Sequence, residues 1–361
     1  MLDEIIANKK YPSVLTFASG EKVTIDTWQA RRKEMKELLE KYSYGITPPA
    51  PSKVWGEVTK TDEFAYAGKV LNQKVDISFE TEKGVFTFPI ELFIPKNIDR
   101  PPLLLHIAFR PVPDRYIPVE EITDRGFALA VMVYTDVVND NHFGDWSDGL
   151  AKYFGVTSLR RDDEWGKIGM WAYGASRVMD YIQTRDDING EKVAVIGHSR
   201  LGKTALWCGA QDERFTAVIS NNSGYGGARS SIDSTGETIS DFLRVGSWDW
   251  FCENFKLYHN KENEKPYDQA YLLALIAPRH LLVGSAIEDR SADPLGEFYT
   301  TFNASKAWEL LGEKGLTCSD EIPKVGDSFN DGKIHYHLRA GRHYLSREDW
   351  NEYIDYLLSV M

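Results

Sequence analysis

The chain has 361 residues, of which 42% are hydrophobic and 27% are charged, and its formal net charge is −12. Such a charge repels phosphate backbones and anionic bilayers, which argues against nucleic-acid binding and membrane-surface roles. No stretch approaches the roughly 20 apolar residues that span a bilayer. Because residues 1–11 contain no apolar h-region, the sequence as given predicts a cytoplasmic protein, or a secreted one if a signal peptide has been removed.

The first part of the chain predicts a helical extension followed by strands. Apolar residues recur at helical spacing over residues 24–44, and the prolines of residues 45–51 cannot continue that helix. Alternating residues begin at Val54, and residues 73–80 and 85–95 have the pattern of a hairpin. We therefore expect an N-terminal helix and then a strand hairpin.

From Pro101 onward, continuous apolar runs alternate with long helical patterns. The longest helical pattern covers residues 162–184 and leads into one of the apolar runs. The runs lie at residues 103–105, 128–133, 193–196 and 281–283. Unbroken apolar strands interleaved with helices are typical of a mostly parallel sheet covered by helices on both faces, and this is the architecture we predict.

A candidate nucleophile follows the apolar run at residues 193–196. Ser199 lies between this strand and a predicted helix, on an abrupt turn flanked by glycines. A serine on such a turn projects its hydroxyl above the sheet, and the backbone amide of Arg200 at the helix start can stabilise an oxyanion. The turn departs from the common nucleophile elbow, because Leu201 stands two residues after the serine and Gly202 comes one later. The alternative is that Ser199 only caps the helix.

A serine hydroxyl needs a positioned base at neutral pH, and His343 is the strongest candidate. It lies in a loop just after the alternating strand pattern of residues 334–339. His335 and His337 fall inside that strand and are expected to be packed or surface side chains. His198 is next to the candidate nucleophile but is expected to point elsewhere.

Asp289 is the candidate acid that orients the base. It follows the strand pattern of residues 280–286 by about three residues, whereas Asp293 precedes Pro294 and is more typical of a helix N-cap. The chain order serine, acid, histidine is the order of α/β-hydrolases. The sequence therefore predicts a serine carboxylic-ester hydrolase with Ser199, His343 and Asp289 as catalytic triad on an α/β-hydrolase fold.

The residues around the nucleophile resemble the glucuronoyl esterases, family 15 of the carbohydrate esterases. The resemblance is carried by Gly197-His-Ser-Arg-Leu-Gly-Lys-Thr-Ala-Leu-Trp207, by Gln211-Asp-Glu-Arg-Phe215 and by Ser220-Asn-Asn-Ser-Gly-Tyr-Gly-Gly227. It implies cleavage of 4-O-methyl-glucuronoyl esters that join xylan to lignin alcohols, through an acyl-enzyme and without a cofactor. The expected partner is a plant cell-wall carbohydrate ester or a derived oligosaccharide, with no nucleic acid and no membrane.

The resemblance also implies roles for three further residues. Arg200 would add a charge to the oxyanion site, where a guanidinium is a strong electrostatic aid. Lys203 and Glu237 would contact sugar hydroxyls, although either can instead be an exposed surface charge. We expect no metal site, because no histidine or carboxylate cluster has ligand spacing.

Two positions depart from the family pattern. Asn222 stands where many members carry a glutamate as the acid, so Asp289 has to serve, and Ser291 replaces an aromatic residue expected to pack on the uronate. These departures keep two alternatives open: an acetyl xylan esterase or other carbohydrate deacetylase, and an inactive relative that binds carbohydrate or a partner. Arg110, after the strand at residues 103–108, can bind the uronate carboxylate or pair with a surface acid.

The chain is predicted to form one domain over residues 1–361. In this interpretation residues 1–50 are an N-terminal helical extension and residues 51–361 are the catalytic core, because the proline and glycine clusters have the composition of loops and no internal repeat is present.

Overall fold

The protein is described by a computed structural model that covers residues 1–233 and 235–361. Its centre is a ten-stranded sheet with the strand order β1-β2-β3-β5-β4-β6-β7-β8-β10-β9. The strands are β1 (Val54–Ala65), β2 (Val70–Thr81), β3 (Gly84–Pro95), β4 (Pro102–Ala108), β5 (Ala128–Val133), β6 (Asn189–His198), β7 (Ala217–Asn221), β8 (His280–Ala286), β9 (Ser328–Phe329) and β10 (Ile334–Arg339).

Helices flank this sheet along most of its width. Those of the described residues are α1 (Leu2–Lys9), α2 (Trp28–Leu39), α3 (Val119–Asp124), α4 (Gly149–Phe154), α5 (Lys167–Ile182), α6 (Arg200–Gln211), α7 (Ile239–Val245), α8 (Gln269–Ala274), α9 (Pro294–Leu310) and α10 (Arg347–Val360). Among the residues with assigned positions, no helix combines the length and the apolar character needed to cross a bilayer.

The sheet is parallel in its centre and antiparallel at its two edges. Strands β5, β4, β6, β7, β8 and β10 pair in parallel, whereas β1, β2 and β3 form an antiparallel meander at one edge and β9 pairs antiparallel with β10 at the other. The hairpin of β2 and β3 turns at Glu82 and Lys83, where Thr81 pairs with Gly84, and its strands agree with the predicted pattern of residues 73–80 and 85–95. The predicted α/β-hydrolase fold class, with a mostly parallel sheet and an N-terminal helical extension, is confirmed.

Apolar side chains of the central strands form a separate core on each face of the sheet. Leu103 and Val195 belong to one core, and their neighbours Leu104 and Ile196 belong to the other. Successive side chains of a strand point to opposite faces, so an uninterrupted apolar run supplies both cores at once. This is why the central strands contain so few polar residues.

The N-terminal extension packs against the rest of the protein through aromatic residues. Helix α2 continues into a π-helical turn at Glu40–Tyr44, and the Tyr44 ring stacks on Trp207 of α6 at 4.4 Å between ring centroids. The Tyr44 hydroxyl donates to the carbonyl oxygen of Gly226 at 2.9 Å. The extension therefore covers the helix that follows the candidate nucleophile.

Helix α5 begins later than its sequence pattern predicts. The apolar spacing starts at residue 162, but the helix starts at Lys167. The preceding backbone is bonded to the N-terminal extension instead: the Ile46 amide donates to Asp163 O and the Gly166 amide donates to Tyr44 O, both at 2.9 Å. These hydrogen bonds use the Asp163 carbonyl and the Gly166 amide, which would have to bond within the helix if it started at residue 162.

The carboxyl ends of the parallel strands meet at one edge of the sheet. Ser199 directly follows β6, Asn222 directly follows β7, Asp289 follows β8 and His343 follows β10. In open α/β sheets this edge is where ligands bind. The fold thus collects residues that are far apart in the sequence along one edge.

Candidate active site

Ser199 occupies a strained turn between β6 and α6. Its φ and ψ angles are 60° and −127°, a conformation that non-glycine residues rarely adopt and that is typical of a nucleophile elbow. A Cβ atom at Gly197 would lie 2.0 Å from the carbonyl oxygen of Leu201, so the turn requires glycine there. Ser199 holds the N-cap position of α6, yet its side chain makes no capping hydrogen bond. The Ser199 side chain therefore does not cap the helix, which was the alternative role.

Close packing accounts for the glycine that follows the serine by three residues. A Cβ atom at Gly202 would lie 3.0 Å from the Cβ atom of Ser223, because α6 passes close to the loop after β7. Leu201, at the place where the common elbow has glycine, is completely buried. The departure from the usual elbow thus follows from where this helix packs.

The imidazole of His343 is hydrogen-bonded to the carboxylate of Asp289. Nδ1 of His343 lies 2.5 Å from Oδ2 of Asp289, and the carboxylate is buried while 43% of the histidine side chain is exposed. Burial acts to raise the pKa of Asp289, but hydrogen bonds from His343 and Asn222 outweigh it and hold the pKa at about 2. Asp289 is therefore ionised at neutral pH.

The His343 ring also lies beside the residue that precedes Ser199. The ring centroids of His198 and His343 are 4.5 Å apart, and Nδ1 of His198 is hydrogen-bonded to Oδ1 of Asn221 at 2.7 Å. Burial lowers the pKa of His198 to about 3, which keeps it neutral. Within the described residues, Nε2 of His343 makes no hydrogen bond, and bonds between a base and its nucleophile are often long until substrate binds.

Two further side chains donate to Asp289. Nδ2 of Asn222 lies 2.9 Å from Oδ2, and Oγ of Ser291 lies 3.1 Å from Oδ1. The backbone amide of Ala292 also donates to Oδ1, at 3.3 Å. The two positions that depart from the family pattern thus contact the same carboxylate, a convergence that the sequence does not reveal.

Arg200 is held beside the elbow by Asp140, a residue that no sequence motif identifies. The guanidinium forms an ion pair with Asp140 and lies over the Trp250 ring, with Cζ 4.5 Å from the ring centroid. Asp140 also accepts hydrogen bonds from the Trp250 indole at 2.7 Å and from the Tyr134 hydroxyl at 2.8 Å. Nε of Arg200 is buried and has no hydrogen-bond partner within the described part of the chain.

Lys203 and Glu237 occupy different environments. Lys203 is buried, and its Nζ donates to the carbonyl oxygen of Ser223 at 2.5 Å, so the alternative of an exposed surface charge is wrong for it. Burial lowers the pKa of Lys203. Glu237 is 37% exposed and lies 3.9 Å from Lys203 in an ion pair. Of the two residues only Glu237 lines the neighbouring cleft, and a sugar contact by either of them remains a prediction.

A cleft of about 590 Å³ opens next to the elbow. Its volume is within the range of small-molecule sites. The described residues that line it are His142, Arg200, Thr235, Gly236, Glu237, Asp241, Phe242, Arg244, Val245, Ser247, Trp250, Arg290 and Ser291. Three arginines in this set provide positive charge in a protein that is acidic as a whole.

Other candidates lie outside this arrangement. Arg110 pairs with Asp114, which favours the surface-pair alternative over a contact with substrate. Asp293 caps α9, because its Oδ1 accepts from the Gly296 amide at 3.1 Å. His335 and His337 are buried in β10, as expected of packed side chains.

One group near β10 has the composition of metal ligands. His335, His337 and Glu352 place one donor atom each within 4.8 Å of one another. Their Nε2 atoms, however, already bind protein acids: that of His335 lies 3.3 Å from Glu352, and that of His337 lies 2.8 Å from Asp349. These pairs attach α10 to the sheet.

Comparison with known proteins identifies the family. The sequence model described as "Glucuronyl esterase, fungi" matches residues 77–312, which is more than half of the chain. The chain belongs to the glucuronoyl esterase family. The predicted resemblance is confirmed, and as a member of this family the protein is a carboxylic ester hydrolase.

Relatives of this glucuronoyl esterase include bacterial and fungal proteins. A carbohydrate esterase from an unknown prokaryotic organism is 34% identical, and the match covers 96% of this chain and 88% of that protein. A 4-O-methyl-glucuronoyl methylesterase of Podospora anserina is 28% identical over 82% of this chain, which spans 59% of that relative's length.

Solved structures of the family have the same fold. A promiscuous CE15 esterase from a marine bacterial metagenome superimposes with a TM-score of 0.87 at 32% identity, covering 98% of this chain and 97% of that one. A glucuronoyl esterase from Solibacter usitatus gives a TM-score of 0.86 at 32% identity, with 97% of each chain covered.

Proposed function

We propose that this protein hydrolyses 4-O-methyl-glucuronoyl esters of xylan, with Ser199 as nucleophile, His343 as base and Asp289 as the acid that orients the base. The observation that carries the proposal is the hydrogen bond between His343 Nδ1 and Asp289 at the same sheet edge as the elbow of Ser199. The natural partner would be a plant cell-wall carbohydrate ester or an oligosaccharide derived from it.

The first half of the reaction forms an acyl-enzyme. Ser199 Oγ attacks the ester carbonyl carbon while Nε2 of His343 accepts the hydroxyl proton. Asp289 holds Nδ1 protonated, so that Nε2 is the nitrogen able to accept, and its charge stabilises the imidazolium. When the tetrahedral intermediate collapses, the C–O bond to the alcohol breaks and the alcohol leaves with the proton from Nε2.

Arg200 contributes to stabilising the oxyanion in both halves of the reaction. Its backbone amide belongs to the first turn of α6, where amides have no intrahelical acceptor. Its guanidinium is held beside the elbow by the ion pair with Asp140 and by the Trp250 ring. Donors fixed in advance stabilise developing charge because no reorganisation is needed in the transition state.

The second half of the reaction releases the uronic acid. Water attacks the acyl carbonyl and gives one proton to Nε2 of His343, and collapse of the intermediate returns that proton to Ser199 Oγ. The exposure of the His343 side chain gives water access to its imidazole. Each cycle consumes one water and yields one acid and one alcohol.

Family membership favours glucuronoyl esters over the acetyl xylan alternative. Several relatives that match most of this chain are named 4-O-methyl-glucuronoyl methylesterases. The cleft supplies arginines for an acidic sugar and Glu237 as an acceptor for sugar hydroxyls. The triad geometry also supports an enzyme over the alternative of an inactive binding protein.

A comparison of two substrates tests this assignment. One preparation of the enzyme is assayed for methanol release from methyl 4-O-methyl-glucuronate and for acetate release from acetylated xylan. We expect kcat/KM to be at least about tenfold higher for the uronate ester, since contacts specific to the acid moiety act only there. A preference for acetylated xylan would contradict the substrate assignment while leaving the triad intact.

A further inference from the structure

We infer that Asn222 is a positioning residue for the triad, and that its amide, together with the Ser291 hydroxyl, fixes the ionised carboxylate of Asp289 in the orientation that His343 needs. The inference rests on the proposed function, because it assigns roles around the proposed triad. Neither residue is expected to touch the reacting atoms.

The hydrogen bonds to Asp289 divide evenly between its two oxygens. Oδ2 accepts from His343 Nδ1 at 2.5 Å and from Asn222 Nδ2 at 2.9 Å. Oδ1 accepts from Ser291 Oγ at 3.1 Å and from the Ala292 amide at 3.3 Å. With donors on both oxygens, the carboxylate cannot rotate without losing hydrogen bonds. The direction in which Oδ2 faces the imidazole is therefore set by its other partners.

The side-chain amide of Asn222 also controls how strongly the Asp289 carboxylate attracts a proton. A donor to Oδ2 draws charge from that oxygen and favours the ionised form. Asparagine is a neutral donor that cannot titrate in the working range, unlike a second carboxylic acid at the same place. The proton shared along the His343–Asp289 bond consequently stays on the imidazole nitrogen.

The conformation of Asn222 indicates that its side chain contributes little to folding. Its φ is 47°, in the left-handed region, and its Oδ1 is buried without a hydrogen-bond partner among the described residues. Both features cost stability. The hydrogen bond to Asp289 is thus the main favourable contact that the side-chain amide makes.

The backbone around Asn222 is held independently of its side chain. The Asn222 amide N–H donates to the carbonyl oxygen of Gly284 at 2.8 Å, and the Gly224 amide donates to Glu297 Oε1 at 2.8 Å. Removal of the side chain should therefore leave the loop in place.

Besides His343, the titratable groups that act on Asp289 are His198, on the strand before the elbow, and Glu297 of α9. Both are retained in every variant below.

The test compares Asn222→Gly with matched controls. Glycine accepts the positive φ and removes only the side chain. Asn260→Gly is the control, because Asn260 is also an asparagine at positive φ, 58°, but is exposed. Ser291→Ala removes the second donor and Ser291→Thr keeps a hydroxyl. For each variant, kcat and KM are measured against pH, Tm is recorded, and the His343 imidazole is titrated by NMR.

We expect Asn222→Gly to lower kcat by about 10- to 100-fold with KM changed less than about threefold, which is the effect of losing one hydrogen bond to a charged group that orients the base. The acid limb of kcat/KM and the NMR titration of His343 should both move to higher pH. Without the Asn222 hydrogen bond, the Asp289 carboxylate keeps more negative charge on Oδ2 and stabilises the protonated imidazole more strongly. Ser291→Ala should shift both in the same direction by less, and Ser291→Thr, which keeps a hydroxyl, should shift them less than Ser291→Ala does. Asn260→Gly should leave both unchanged. The Tm of Asn222→Gly should equal or exceed that of the unaltered protein.

Three results would overturn the inference. One is an unshifted His343 titration in Asn222→Gly, and another is an equal shift in Asn260→Gly. The third is failure of Asn222→Gly to fold, which would show that the side chain serves the fold. An unaltered protein inactive on methyl 4-O-methyl-glucuronate would instead count against the proposed function, since the NMR titration does not depend on turnover.

Discussion

Asp140 determines where the Arg200 guanidinium lies. The two residues are 60 positions apart, and the acid also accepts from Trp250 and Tyr134. In the proposed mechanism the Arg200 guanidinium stabilises the oxyanion. It lowers the activation barrier only if it is held in place before the reaction starts. In that mechanism Asp140 would affect the rate indirectly, through Arg200.

We predict that Asp140→Asn lowers kcat/KM by about tenfold or more, mostly through kcat, because asparagine keeps the acceptor oxygen but removes the charge that pairs with Arg200. Asp136→Asn is the control, since Asp136 is exposed in the same connection after β5. Steady-state kinetics on methyl 4-O-methyl-glucuronate measure the effect. Equal rates for the two variants would show that the ion pair does not support catalysis.

The sequence predicts the candidate site residues that lie close to the end of a strand. Ser199, Asp289 and His343 lie within four residues of the ends of strands that the sequence pattern predicts, and parallel strands end at a common edge. Asp140 lies seven residues beyond β5, so no spacing rule points to it. The hydrogen bonds from Asn222 and Ser291 to one carboxylate depend on side-chain directions, which a sequence does not encode locally.

Helix α9 joins the loop after β7 to strand β8 through a buried glutamate. Glu297 Oε1 accepts from the Gly224 amide at 2.8 Å, and Oε2 accepts from the Ser285 hydroxyl at 2.6 Å. Burial raises the pKa of Glu297 to about 7, against these hydrogen bonds, which lower it. The native state therefore retains a proton that the unfolded chain releases near pH 4.5, the ordinary pKa of a glutamate side chain.

This retained proton makes stability depend on pH. Because the folded pKa is raised, the contribution of Glu297 is fully present below about pH 4.5, falls as pH rises toward 7 and then levels off. Glu297→Gln imitates the neutral form and does not titrate. Its free energy of unfolding, relative to the unaltered protein, should increase by up to about 3 kcal/mol between pH 4.5 and 8.

Denaturant unfolding at several pH values measures this difference. Glu309→Gln, an exposed position on the same helix, is the control and should show no such trend. A pH-independent difference for Glu297→Gln would mean that the glutamate is already ionised at neutral pH.

Secondary structure was predictable where periodicity alone decides it. The hairpin of β2 and β3 and the helix α6 agree with their patterns, because alternation and apolar spacing directly reflect burial. The start of α5 was wrong by five residues, since backbone bonds to residues 44 and 46 replace the first turn. Helix α1, short and partly exposed, has no periodic signal strong enough to predict it.

At the scale of the whole molecule, the interpretation of residues 1–361 as one domain stays a prediction. Met35, Leu39 and Tyr44 of the N-terminal extension are completely buried, and Tyr44 covers Trp207. Removing the extension would expose this apolar surface to water. Fold class was predictable from sequence because it depends on many strands and helices together, so that errors at single boundaries do not matter.

We predict that the full chain unfolds in one cooperative transition and that deletion of residues 1–50 yields an aggregated or molten protein without esterase activity. Calorimetry and near-ultraviolet circular dichroism measure both properties. A truncated protein with unchanged Tm and activity would show that residues 51–361 fold independently of the extension.

The most direct test of the proposed active site is intact-mass spectrometry of the protein after brief exposure to a serine-directed phosphonate, combined with methanol release from methyl 4-O-methyl-glucuronate. The unaltered protein should gain one phosphonyl group and release methanol, with the adduct mapped to Ser199. Ser199→Ala should show neither. Methanol release by Ser199→Ala at the unaltered rate, or an adduct mapped to another residue, would contradict the assignment of Ser199 as nucleophile.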